Sequence, residues 1–237
     1  VQTIHRMTGS RLYTLLLSGE IIVFIVFVEA IVIAGLLLVG PLWIVNTRQT
    51  KVPFAGILFF TAIGAGFILV EIFFIHSFTK IFNDPVLSFS MVLSIVLISS
   101  SAGGLISQFL RPATLKSVLP VVGLLLLMIR LWLDPLFETI HRLPPQLCLL
   151  LSTSVLVVVG ILLGFPFPMG MRHLMNSPAH RAYAWASNGV ASVLAAVVAA
   201  QLSISWGLTT LLWCAVVAYG VAWGSLLRYK GFMLETE

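Results

Sequence analysis

Gly64-Ala65-Gly66-Phe67-Ile68-Leu69-Val70-Glu71-Ile72-Phe73-Phe74-Ile75-His76 places one carboxylate in the middle of an apolar run. The run extends from 54 to 78, and a helix of about 20 residues at a rise of 1.5 Å covers the roughly 30 Å of a bilayer's hydrocarbon core. The segment therefore reads as a membrane span with Glu71 inside it. An ionisable group at the centre of a span costs about 2.5–3.5 kcal/mol on insertion scales, so Glu71 calls for a partner or a purpose.

Composition assigns the whole chain to the same class. Of the 237 residues, 59% are hydrophobic and 9% charged, and the mean hydropathy is +1.10; soluble domains carry about 25% charged residues. The net charge of +5 does not point to nucleic acid, because the basic residues stand singly between apolar runs, the pattern that encodes membrane topology. Cys148 and Cys214 fall in apolar segments without CxxC, CxxCH or metal-ligand spacing, so no disulfide framework, haem attachment or metal site is expected from them. No cofactor is expected.

The pattern predicts an all-α, polytopic transmembrane helical bundle of about seven spans, with 1–19 as an interfacial lead-in and 20–237 as one transmembrane domain. Spans are expected at 20–45, 54–78, 86–109, 117–133, 146–165, 182–202 and 208–227. Asp134-Pro135 opens a stretch, 134–145, that reads as a loop and as the place where an aqueous-facing helix fragment is expected. The fifth span is expected to break at Pro166-Phe167-Pro168, because proline lacks the N–H that a continuing helix needs. The break reads as the end of the span, with a discontinuous helix whose free carbonyls face a cation as the alternative. In the third span Ser90, Ser94 and Ser101 share a face, and hydroxyl residues at such spacing let helices approach and bond across the contact.

Seven crossings put Arg48, Lys51, Arg111, Lys116, Arg172, Arg181, Arg228 and Lys230 on one side, against Arg6, Arg11, Lys80 and Arg142 on the other. The positive-inside rule then predicts a cytoplasmic C-terminus.

Three segments carry a family resemblance. Gly64 to His76, followed by Pro85 and the serine-rich run to Gly103-Gly104, is the first; Gly164-Phe165-Pro166-Phe167-Pro168-Met169-Gly170-Met171-Arg172 is the second; Ala184-Trp185-Ala186-Ser187-Asn188-Gly189-Val190-Ala191-Ser192 is the third. In this order they resemble the membrane module of the spermidine-synthase-like integral membrane proteins of bacteria. The resemblance implies a bacterial inner-membrane location and a module that accompanies an aminopropyltransferase-like soluble domain. These residues contain no Rossmann-type glycine loop and no acidic catalytic cluster, so aminopropyl transfer is not assigned to them, and His76 stands where that family usually has Gln.

The candidate intramembrane polar site comprises Glu71, Glu29, Ser90, Ser94, Ser101, Asn188 and His76. Glu71 reads either as a structural carboxylic acid bonded to a serine of the third span, with Ser90 or Ser94 nearest and Asn188 as the competitor, or as an ion- or substrate-binding group. Glu29 carries the same two readings. His76 lies five residues beyond Glu71, about 140° around a helix, so the two do not aim at one atom. Asn188 reads as a helix–helix hydrogen bond.

No nucleophile–base pair and no metal-ligand set stands out, so an enzyme is not expected. Two functions are: an integral membrane subunit that anchors or scaffolds partner proteins, either a soluble domain or a larger membrane complex, and alternatively a transporter-like module for a cation or polyamine-like solute that uses Glu29 and Glu71. The bilayer and other membrane-associated subunits are the expected partners, with no nucleic acid. A water-filled cavity reaching both carboxylates would favour transport, and lipid-facing helices covered by other chains would favour the subunit.

Overall fold

The computed structural model describes residues 19–44, 53–141 and 144–229. Residues 1–18 of the expected lead-in, Arg48, Lys51, Arg142 and the tail 230–237 lie outside the described residues. The helices are α1 (Gly19–Ile44), α2 (Phe54–Phe82), α3 (Pro85–Ile106) with a 3-10 turn at Ser107–Phe109, α4 (Thr114–His141), α5 (Pro145–Gly164), α6 (Pro166–His173), α7 (Pro178–Trp206) and α8 (Thr210–Leu227), with no strand among the described residues. Helices satisfy every internal N–H and C=O within themselves, the condition a lipid-exposed backbone has to meet.

Among the described residues, six segments are long and apolar enough to cross a membrane: α2, α3 with its 3-10 turn, the first part of α4, α5 with α6, α7, and α8. The chain is a multi-pass membrane protein. Helix α1 has 26 residues, and its apolar stretch among the described residues, Phe24–Ile33, is shorter than the six spans.

Local chemistry sets the helix ends. Asn83 adopts the left-handed conformation at φ 52° and its N–H bonds Thr79 O, closing α2. Asp84 caps α3 by accepting from Leu87 N at 3.0 Å, with Pro85 at the first helical position, where its missing N–H costs nothing. Ser177 and Pro178 repeat the device at α7, Ser177 accepting from His180 N at 3.2 Å. Gly207, at φ 86°, ends that helix.

Two expected boundaries are corrected. The stretch 134–145 is not a loop from its start, because α4 runs on to His141; Leu136, Phe137 and Ile140 keep helical spacing beyond Pro135. The fifth span does not stop at Pro166. The chain bends at Phe165 and resumes as α6 with Pro166 at its first position, Met169 N bonding Phe165 O at 3.3 Å.

Contacts between helices run in a closed circuit, α2 to α3 to α5 to α4 to α8 and back to α2, with α7 laid outside against α2 and α1 outside against α7. Phe59, Phe60, Phe73, Phe78, Leu119, Leu126, Leu156 and Tyr219 fill the core. Helices α3 and α5 meet without intervening side chains. A Cβ added to Gly103 would fall on the carbonyl oxygen of Ile161, one on Gly164 on the carbonyl oxygen of Ser100, and one on Gly160 on Ser99 Oγ. Gly160 and Gly164 form a GxxxG pair facing Ser99 and Gly103, the small-residue contact by which membrane helices bring backbones together.

At the end of the bundle where α3 stops, Arg172 is tied down by three hydrogen bonds: Nε to Pro168 O at 3.3 Å, and Nη2 to Ser107 O at 2.7 Å and Ser107 Oγ at 3.0 Å. Its charge sits against the carbonyl end of α3, where the helix dipole favours a cation. Tyr229 donates to Leu174 O at 2.7 Å and joins the end of α8 to the same region.

Gly103→Ala should destabilise the protein by about 1–3 kcal/mol, the usual cost of overpacking, or more, because the obstructing atom is backbone. Gly220→Ala, which meets nothing within 4 Å, should leave stability unchanged or raise it by about 0.5–1 kcal/mol through helix propensity. Thermal unfolding of both variants in one detergent measures the difference.

Candidate functional site

The three segments quoted for the family resemblance converge on one cavity. Its volume is about 650 Å³ and its lining comes from α2 (Ile63, Gly64, Phe67), α3 (Leu97, Ser100, Ser101, Gly104), the α5–α6 bend (Leu163, Gly164, Phe167, Pro168) and α7 (Trp185, Asn188, Ser192). Pockets of roughly 300–1,000 Å³ with apolar walls and a few convergent polar groups are the usual form of small-molecule sites. Leu97 and Trp185 on its rim are 52% and 62% exposed, so the cavity opens sideways between α3 and α7.

The floor is made by close contact of α2 with α7. Asn188 Nδ2 donates to Phe60 O at 3.2 Å, and Ser192 Oγ donates to Asn188 O at 2.9 Å with Gly64 O at 3.3 Å. A Cβ at Gly64 would strike Asn188. Asn188 is thus the helix–helix hydrogen bond expected of it, and it also borders the cavity. Along one wall Phe167 packs edge-on against Trp185 with ring centroids 4.7 Å apart.

Glu71 is 8% exposed, and its Oε1 has no hydrogen-bond partner. The expected contact with Ser90 or Ser94 is not formed. Two physical reasons account for this. Helix α2 runs on to Phe82, so counting 11 residues back from Phe82 to Glu71 and the same number forward from Pro85 reaches Val96. The inward stripe of α3 is Ser88, Val92, Val96, Ser99 and Gly103, and Ser90 and Ser94 sit two residues from it, about 200° around the helix.

Ser90 and Ser94 are exposed. Ser90 Oγ donates to Val86 O at 2.8 Å, the back-bond by which a serine can face an apolar medium. Ser101 faces the lateral cavity and donates to Leu97 O at 2.6 Å. His76 is exposed near the far end of α2. The expected polar cluster is therefore dispersed. Asn188 and Ser101 border the cavity, Glu71 is buried about one turn beyond Phe67, Glu29 lies elsewhere, and Ser90, Ser94 and His76 face outward.

Glu29 is exposed on α1, in a shallow apolar groove against α7 lined by Val26, Ala30, Ile33, Gly189, Val190, Val193 and Val197. Neither this groove nor the larger cavity includes Glu71 among its lining residues. Among the described residues no three of His, Cys, Asp and Glu are grouped to hold a metal ion.

Sequence reading overlooked two features of the site. Gly160 and Gly164 press α5 onto α3 and so place the cavity wall; the GxxxG spacing was their visible signal. Ser107, the partner of Arg172, lies 65 positions away and carries no local signal. No family model, curated protein or solved structure matches the chain.

With Oε1 unpartnered, replacing Glu71 by an apolar residue of similar size removes a desolvated polar group instead of breaking a bond. Glu71→Met should raise stability by about 1–3 kcal/mol, the cost of an unsatisfied buried group, while Glu71→Gln should stay near the parent. Parallel thermal unfolding tests this, and a lower melting point for the Met variant would mean that the carboxylate has a stabilising partner.

Proposed function

We propose that this chain is a non-catalytic integral membrane subunit that anchors or scaffolds partner proteins in a membrane complex. The observation that carries the reading is Glu29, an exposed carboxylate within the apolar helix α1, which packs chiefly against α7. A carboxylate left against lipid at that depth is costly, and cover by another protein's helix removes the cost. Other described side chains of that helix are open too, with Phe24 and Leu36 63% and 68% exposed. A bacterial inner membrane, a cytoplasmic C-terminus and membership of the spermidine-synthase-like membrane family belong to this proposal. The clustering of Arg111, Arg172, Arg181 and Arg228 on connectors and helix ends at one side of the bundle supports the orientation.

The alternative is a cation or polyamine-like transporter, favoured by the unpartnered oxygen of Glu71. Against it, neither the lateral cavity nor the groove on α1 brings Glu29 and Glu71 together.

A photo-crosslinking amino acid at Val32, on the exposed face of α1, should give protein adducts when activated in native membranes, and Glu29→Leu should reduce their yield at least about threefold. Light scattering of the mildly solubilised parent should give a protein mass above the 25.9 kDa of one chain. Lipid-only adducts with a single-chain mass would refute the subunit reading. Carboxylate-dependent cation uptake into proteoliposomes would replace it with transport.

A further inference from the structure

We infer that the lateral cavity between α3 and α7 is a binding site for a neutral, hydrogen-bond-donating membrane amphiphile, a lipid alcohol in chemical terms. This goes beyond the subunit reading and does not depend on it.

The size of the site points to a small molecule and not to a partner's helix. Its walls run from Leu97 to Gly104 on α3 and from Trp185 to Ser192 on α7, about 10 Å of helix at 1.5 Å per residue. A transmembrane helix would need a groove along the roughly 30 Å of hydrocarbon. The α5–α6 bend, with Phe167 and Pro168, closes one end of the cavity. The open side faces the bilayer, so the ligand arrives from the membrane and an acyl or isoprenoid chain can stay in it.

Hydrogen-bond inventory sets the ligand's polarity. Ser100 and Ser101 each give their single hydroxyl proton to Leu97 O, Ser192 gives its proton to the carbonyls of Asn188 and Gly64, and one Asn188 amide hydrogen goes to Phe60 O. What remains is three hydroxyl oxygens and Asn188 Oδ1 as acceptors, against two donors, the second Asn188 amide hydrogen and the Trp185 indole N–H. Acceptors prevail, so a group that both donates and accepts, such as a hydroxyl, is matched. A ligand that fits brings donors. None of the lining residues is charged, so a charged headgroup drawn into the cavity would lack a counter-charge and lose its hydration. The nearby Arg172 is engaged by Pro168 and Ser107. A hydroxylated headgroup meets these conditions, with Phe67, Phe167 and Trp185 supplying apolar and aromatic walls.

Quenching of tryptophan fluorescence by brominated lipids tests the assignment on the full chain in detergent micelles. The first probe is a monoacylglycerol with a dibrominated chain, which carries two hydroxyl donors. The expected result is saturable quenching, absent in Trp185→Phe, with half-saturation at least about tenfold below that of the dibrominated fatty-acid methyl ester, which has no donor. Gly104→Leu fills the cavity from a position whose Cβ has only ordinary contacts at 3.8 Å, and it should abolish the saturable phase. Ser94→Leu, on the exposed face, should leave that phase unchanged. A brominated isoprenoid quinol run beside the monoacylglycerol distinguishes a glycerol headgroup from a quinol as the source of the donors. Equal quenching by ester and alcohol, tighter binding of a brominated anionic phospholipid, or a saturable phase that survives Gly104→Leu would each overturn the proposal. Displacement of the probe only by an added transmembrane peptide would assign the cavity to a partner helix and overturn it as well.

Discussion

Backbone-to-backbone contact between α3 and α5 is the constraint on which the rest of the bundle depends. Lipid tails are as apolar as leucine, so membrane helices gain little from hiding apolar side chains and associate through close packing and interhelical hydrogen bonds. Gly103, Gly160 and Gly164 allow that packing at its tightest. The contact draws α3 toward α5, while Asn188 and Ser192 hold α7 on α2 from the other side. Helix α2 is consequently flanked by α3, which is drawn toward α5, and by α7, which is held on α2 itself, and the space left between the two flanking helices is the lateral cavity.

Polar groups inside the spans fall into two kinds. Ser99, Ser101, Ser192 and Asn188 return protons to backbone carbonyls, so they sit in an apolar medium at small cost, whereas Ser152 Oγ is buried without a partner. Glu71 and Glu29 have no comparable arrangement. One is enclosed without a partner for Oε1, and the other lies open in a groove on a peripheral helix. The two carboxylates therefore do not form a pair. Each raises its own question of partnership, and only Glu29 stands where a second chain can answer it.

Charge gathers at one end of the molecule for structural as well as topological reasons. Arg172 neutralises the carbonyl end of α3 and cross-links it to α6, and Arg181 Nε donates to Met175 O at 3.2 Å in the α6–α7 connection. Side chains that a topology rule counts only as positive charges are thus also the ties that close the ends of the helices.

Read alone, the sequence determined the class, the all-α architecture and the approximate spans, because long apolar runs broken by Asn83-Asp84-Pro85, Ser177-Pro178 and Gly207 leave no other way to satisfy a backbone in lipid. It also identified Asn188 as an interhelical bond. It did not determine which stripe of α3 turned inward: Ser90-Ser94-Ser101 and Ser88-Ser99-Gly103 are both small and polar, and in a membrane hydrophobicity does not distinguish the buried face from the lipid face. Length misled at Pro135, where the helix continues through the local breaker, whereas at Pro166 the helix does break and a new one resumes beyond it. Only tertiary packing decided that Glu71 is buried apart from the serines and that Gly64, Gly104, Gly164 and Asn188, as far as 124 positions apart in the chain, enclose one cavity. That outcome depends on how closely particular backbones approach, a distance set jointly by residues on different helices.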